Sequence, residues 1–198
     1  MLDYKENLKE NKRRRSTSRE MARKLYLSYP TSAFVDKHEV EYEIRNRVRN
    51  LYQIPISSVQ VIGSAKTGFS LIKKTDFKRG ESDLDLAVVD VSLFNRLWET
   101  SYEASNGFEA NKFQDILING VAKAGSGKER FLDYLYRGVI SPDFLPAGTY
   151  RAKIFQDFAR ITDSYKDDFK KISAFFYCNE FFLQEKLKDT IDKHWAQI

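Results

Sequence analysis

The sequence predicts an α+β fold: a small mixed or antiparallel sheet with helices packed on one face and further helices added at the N-terminus. Three observations carry this reading. Residues 36–52 place Val40, Ile44, Val48 and Leu51 three or four positions apart with charges between them, the period of an amphipathic helix. The run Val59-Gln60-Val61-Ile62 is short, largely β-branched and stopped by Gly63, as a buried strand would be. In residues 83–89, Leu84, Leu86 and Val88 alternate with Asp83, Asp85 and Ala87, so a strand of period two sets both aspartates on one face.

Before these elements, residues 1–30 are rich in Lys, Glu and Arg, with Leu2, Leu8, Met21, Leu25 and Tyr26 forming a thin apolar stripe. That pattern predicts polar helices with one buried edge. Ser16-Thr17-Ser18 ahead of Glu20 divides them, because a hydroxyl there can accept an orphan amide hydrogen bond while the acid favours the positive helix end. Tyr29-Pro30-Thr31 ends the segment, giving a basic helical unit over 1–30 and a main domain over 31–198. After the acidic strand, residues 92–98 read as a helix, and 113–135 as one or two more, broken around Gly125-Ser126-Gly127. Residues 136–142 form a turn-rich bend. Ile154, Phe155, Phe158 and Ile161 carry a helix over 150–168, and 171–178 read as a strand. Phe182, Leu183, Leu187 and Ile191 share one face of a last helix over 180–195.

Composition narrows the function classes. In 198 residues, 15 Phe and 11 Tyr against 9 Gly and 4 Pro supply a sizeable core and exclude a low-complexity chain. The single Cys178 excludes an internal disulfide framework and a multi-cysteine zinc site, and its apolar strand context makes it core filling. His38 and His194 have no metal-ligand spacing. No apolar run reaches the roughly 18 residues of a membrane span, and no apolar stretch follows the first charges as in a secretory signal, so the expectation is a cytoplasmic protein without a membrane partner. The net charge of +5 is a mild excess, concentrated in Lys9, Lys12, Arg13, Arg14, Arg15, Arg19, Arg23 and Lys24. Such a run neutralises phosphates if it lies on RNA or DNA; a solvated helix face accounts for it equally.

Asp83 and Asp85 carry the chemical argument. Two carboxylates one residue apart on a strand can jointly hold Mg2+ or Mn2+, hard cations that take one or two carboxylates plus substrate phosphates. Gly63 and Ser64, following a strand, form a turn whose backbone amides and hydroxyl can approach phosphate oxygens. Lys66 is a further phosphate candidate, and Lys73, Lys74, Lys78 and Arg79 make the spacer basic enough to steer a nucleotide or RNA. Gly125-Ser126-Gly127-Lys128 lacks the remaining residues of a P-loop and reads as a polar turn. The aromatic residues at 175–177, 181 and 182 read as core, although an exposed Tyr177 would make a base-stacking platform.

The order Val61-Ile62-Gly63-Ser64, spacer, Ser82-Asp83-Leu84-Asp85-Leu86 resembles the DNA polymerase β-like nucleotidyltransferase superfamily. The longer stretches 63–71 and 82–89 are similar to small bacterial members found among toxin–antitoxin and phage-defence genes. The resemblance spans about one sixth of the chain. It implies that Gly63 and Ser64 contact a nucleoside triphosphate, that Asp83 and Asp85 are catalytic and bind the metals, and that Ser82 orients the acidic strand. It also implies a third carboxylate on a later strand. If that strand is 171–178 it offers none, and Asp143, beside Pro142, is the loop-borne substitute, with a structural bend as its other reading. Two functions follow. One is a metal-dependent nucleotidyltransferase moving a nucleoside monophosphate to an RNA, tRNA included, or to a protein acceptor in a defence or toxin–antitoxin setting. The other is a catalytically degenerate module that binds nucleotide or a partner protein.

Overall fold

The computed structural model describes residues 4–194; Leu2 and Trp195, assigned above to helices, lie outside this range. Helix α1 (Tyr4–Arg13) and α2 (Ser18–Ala22) meet at Thr17, which completes a capping box with Glu20. The Thr17 hydroxyl accepts from the Glu20 amide at 3.2 Å, and the Glu20 carboxylate accepts from the Thr17 amide at 2.8 Å. A π-helical segment, Arg23–Ser28, continues α2 to the break at Tyr29. Helix α3 (His38–Tyr52) leads to β1 (Val59–Ile62), the short helix α4 (Gly63–Thr67) and β2 (Leu84–Val89). Then follow α5 (Val91–Ala104), β3 (Ile116–Ile118), β4 (Val121–Lys123), α6 (Ser126–Tyr136), β5 (Val139–Ile140), α7 (Thr149–Ser164), β6 (Ile172–Tyr177) and α8 (Glu180–His194).

The fold is α+β, and its main sheet is mixed, in the order β1-β2-β6-β5. Strand β2 is antiparallel to β1 and parallel to β6, and β5 closes the far edge against Phe176 and Tyr177 alone. Alternation sorts the side chains. Val59, Val61, Leu84, Leu86, Val88, Ile172, Ala174 and Phe176 face a core built with α3, α5 and α7. Ile62, Ala87 and Tyr177 face a second core with Leu8, Met21 and Leu25 of the N-terminal helices and Leu183, Leu187 and Ile191 of α8. The N-terminal helices and α8 pack together over the sheet face to which Ile62, Ala87 and Tyr177 belong.

Three regions differ from the sequence reading. Residues 113–125 are not helical but a β-hairpin, β3–β4, because Asn119 and Gly120 both take positive φ (53° and 81°), the two-residue turn that suits strand twist. Its apolar residues mimic core periodicity, yet Leu117 and Val121 are exposed. The bend at 136–142 contains β5. Helix α5 extends beyond its expected end, started by Asp90, whose carboxylate accepts from the Leu93 amide at 2.8 Å. No helix among the described residues is long and apolar enough to cross a membrane.

Candidate functional site

The acidic site forms where the end of β1 meets the start of β2. Ile62 pairs with Asp85, so the chain must turn at Gly63 directly against that carboxylate. Gly63 has φ +67°, a conformation that favours glycine, and a Cβ there would lie 2.9 Å from Asp85 Oδ2, so any side chain would shift the Asp85 carboxylate. Ser64 follows in the first turn of α4, half-buried, and its hydroxyl makes no hydrogen bond to the described residues. Asp83 stands just before β2, half-buried, also with no partner among them.

The loop that presents Asp83 is anchored at several points. Ser82 folds it: its hydroxyl accepts from the Lys78 amide at 2.9 Å, and its carbonyl accepts from the Lys170 amide at 3.1 Å. Arg79, expected as a steering cation, is instead structural. It donates to Asp168 Oδ1 at 2.6 Å and to the Ala33 carbonyl at 3.2 Å, while Lys37 reaches the same Asp168 oxygen at 2.7 Å. Burial pushes the Asp168 carboxyl up, but the bonds and charges of Lys37 and Arg79 outweigh it and hold it below its ordinary value.

Asp85 is electrostatically different. Burial raises its pKa above the ordinary value; the Ser173 hydroxyl, donating to Oδ1 at 3.1 Å, opposes this, and the Asp83 charge adds to it. Lys73 and Lys171 oppose the rise from a distance, but neither forms an ion pair with the described residues. A half-buried carboxylate beside a second carboxylate, with one hydroxyl donor and no ion pair, is an all-oxygen donor set that fits a divalent cation. Among the described residues no three His, Cys, Asp or Glu side chains gather into a metal-holding group; the corner offers two carboxylates.

Strand β6 lies directly beside β2 in the sheet. Its register sets Ser173 opposite Asp85, and Lys171 accepts from the Leu84 amide through its carbonyl at 2.8 Å. No acid occupies that strand. Asp143 sits in the 3-10 turn Pro142–Phe144 at the rim of a cavity of about 400 Å³ bounded by β6, α7 and residues 141–143. Ser173 belongs to both places, lining the cavity while bonding Asp85.

Other expected residues lie elsewhere. Lys66 is buried and donates to the Tyr29 carbonyl at 2.6 Å; burial pulls its ammonium down to about 8 against the influence of Glu41. It ties α4 to the N-terminal layer. Half of the named basic residues pair with acids: Lys9 with Glu6, Arg13 and Arg14 with Glu10, and Arg19 with Glu185 of α8. Arg23 bonds Gln184 at 3.0 Å and Lys24 bonds Asn11 at 2.8 Å. Tyr177 is buried and offers no stacking platform. Ser126 of the Gly-Ser-Gly-Lys turn bonds the Ile116 amide and the Lys123 carbonyl. Gly127 lets the Gln114 carbonyl approach to where a Cβ would be 2.2 Å away, so the turn is structural. Sequence reasoning missed the anchor at Asp168, the Ser173–Asp85 bond and the cavity, all of which depend on long-range pairing. Compared with family models, curated proteins and solved structures, the chain matches none.

Proposed function

We propose that the Gly63–Asp85 corner is a nucleotidyltransferase-type site that binds a nucleoside triphosphate with Mg2+ or Mn2+. The activity it serves is transfer of a nucleoside monophosphate to an RNA or protein acceptor. The observation that carries the reading is the Asp83–Asp85 carboxylate pair, without ion pairs among the described residues, beside a glycine turn pressed against the Asp85 carboxylate. A divalent cation held there would neutralise charge on phosphate oxygens and orient them. The chain's own contribution is positional: Asp83 and Asp85 hold the cation, Ser173 fixes the Asp85 carboxylate, and Gly63 and Ser64 leave room and a hydroxyl for phosphate. In the transfer, an acceptor oxygen bonds to the α-phosphorus, the bond to the bridging oxygen breaks, and pyrophosphate leaves. The acceptor's proton passes to Asp85 or to water.

One observation favours a second reading. Ser173 stands opposite Asp85 on β6, the strand on which the resemblance implies a third carboxylate. Without it the same corner binds nucleotide as a degenerate subunit of a larger assembly. Incubation with each α-phosphate-labelled nucleoside triphosphate, Mg2+ or Mn2+, total RNA and cell extract separates the two. Label transferred by the unsubstituted protein and not by the Asp83→Asn/Asp85→Asn protein establishes transfer. Triphosphate binding without transfer selects the degenerate module, and absence of both rejects the site.

A further inference from the structure

The net charge is not spread evenly over the chain. Residues 4–28 and 180–194 carry twelve Lys and Arg against seven Asp and Glu, whereas the remaining residues carry 21 of each. The whole excess of +5 thus belongs to the N-terminal helices and α8, and the field it creates draws acidic partners to that layer.

The acids around α8 are already engaged. Glu185 pairs with Arg19, Asp189 and Asp192 pair with Lys188, and Asp133 of α6 pairs with Arg137. Lys186 and Lys193 form no ion pair among the described residues. Their spacing sets both on the face of α8 that carries Phe182. Phe182 is in turn pressed against the end of α6, since a Cβ at Gly138 would lie 2.3 Å from its ring. Arg137, the residue before that glycine, therefore stands at the same seam as the two lysines. Partial desolvation, then the like charges of Lys193 and Arg137, lower the Lys186 ammonium against the pull of Asp189. Cations gathered in this way repel one another until an anion joins them.

Two large rings flank the cations. Tyr136, beside Arg137, is 80% exposed, and Phe181, read from the sequence as core, is 58% exposed. Phe181 stands edge-on to Phe182 with the ring centres 5.4 Å apart, and neither Tyr136 nor Phe181 belongs to the two cores. From Phe182 to Lys193 the helix rises about 16 Å, so rings and cations share one short strip.

We propose that the α6–α8 seam binds single-stranded nucleic acid, with phosphates on Arg137, Lys186 and Lys193 and bases stacked on Tyr136 and Phe181. A single strand offers charged backbone and open base faces together, whereas a duplex keeps its base faces within the stack. An acidic peptide leaves the rings unused. An anionic bilayer requires a free apolar helix face, and that of α8, Leu183, Leu187 and Ile191, is buried against the sheet. That the strand held here is the transfer acceptor rests on the transfer reading above; the existence of the surface does not.

The test is fluorescence anisotropy of the full chain with labelled octamers of uridine, adenosine and thymidine nucleotides over a range of salt concentrations. Three phosphate contacts on a single strand give a log–log salt slope of about −2. Lys186→Gln/Lys193→Gln brings the slope to about −0.7, while Arg49→Gln/Lys112→Gln, which removes the same charge elsewhere, leaves it unchanged. Tyr136→Ala and Phe181→Ala each weaken binding about fivefold or more without altering the slope. Circular dichroism confirms that the variants fold. Tighter binding of the uridine than of the thymidine octamer assigns the surface to RNA, and the reverse assigns it to DNA. No binding at low salt, or binding indifferent to both the lysine and the ring substitutions, overturns the proposal. Polyglutamate that displaces the octamer at equal charge concentration, or phosphatidylserine vesicles bound in its stead, overturns it in favour of an acidic protein or a lipid surface. The Asp83→Asn/Asp85→Asn protein binds the octamers as wild type does, so octamer binding without triphosphate binding overturns the transfer reading alone, and transfer without octamer binding overturns this surface alone.

Discussion

Replacing Asp168 by Asn tests whether the aspartate-bearing loop is held from outside the site. The Asp168 side chain is 14% exposed and accepts from Lys37 at 2.7 Å and Arg79 at 2.6 Å; its carbonyl accepts from the Gly80 amide at 2.8 Å. Buried charge-assisted bonds contribute about 1.5–3 kcal/mol each, whereas exposed pairs contribute about 0–1. Both cations are 41% exposed and Asn retains one weaker acceptor, so the loss is about 2 kcal/mol. For a chain of this size that lowers the melting temperature by roughly 4–8 °C. The sign with pH follows from the depressed Asp168 pKa: its contribution is present above the unfolded value of about 4 and fades as pH falls through the lower folded value. Urea unfolding by circular dichroism at pH 7 and in acid, with Arg79→Met and the double variant completing a cycle, measures the coupling. The same loop carries Asp83, so divalent-cation affinity falls with stability. Equal unfolding free energies for Asp168→Asn and wild type at pH 7 would refute the anchoring argument.

Three further outcomes follow from the site. Asp85→Asn raises the unfolding free energy at pH 7 without divalent cation, because the raised Asp85 pKa means that ionisation opposes folding as pH climbs past the unfolded value. That advantage vanishes in acid, and Mg2+ at ten times its dissociation constant stabilises wild type by about 1.4 kcal/mol but not the variant; denaturation with and without Mg2+ reads both. Gly63→Ala costs about 1–2 kcal/mol through its left-handed backbone and, by displacing the Asp85 carboxylate, weakens Mg2+ and triphosphate binding, measured by calorimetry. Lys66, pulled down to about 8 by burial, binds fewer protons folded than unfolded above that pH, so wild type gains stability relative to Lys66→Met between about pH 8 and 10. A flat difference across that range would mean that the ammonium is solvated.

How much could be read from the chain alone depended on the range of the forces involved. Strands β1, β2 and β6 and helices α3, α7 and α8 announce themselves because side-chain period and burial coincide. The hairpin β3–β4 did not, since Leu117 and Val121 are apolar but exposed and only Asn119-Gly120 marks the turn. The placing of Asp83 and Asp85 at the start of one strand and Gly63 at the end of another was legible because strand period and glycine punctuation are local signals. Arg79 and Lys66 were misassigned for the opposite reason: whether a lysine or arginine faces solvent or an acid 89 residues away is decided by tertiary packing.

The partners given to the less exposed aspartates bear on the proposed role of the acidic corner. Asp157 has Lys153 at 2.5 Å and Arg160 at 3.9 Å, and Asp168 has Lys37 and Arg79. Asp157 and Asp168 are thus each given two cations, whereas Asp90, also half-buried, is met by the Leu93 amide at the start of α5. Asp85 receives one hydroxyl and a neighbouring acid, although Lys73 and Lys171 are close enough to act on its charge. Leaving a carboxylate uncompensated lowers stability, and substituting either aspartate would relieve it. On the proposed reading the pair is left open for a cation that arrives with a ligand, and Lys73 and Lys171, which already act on the Asp85 charge, would meet that ligand's phosphates.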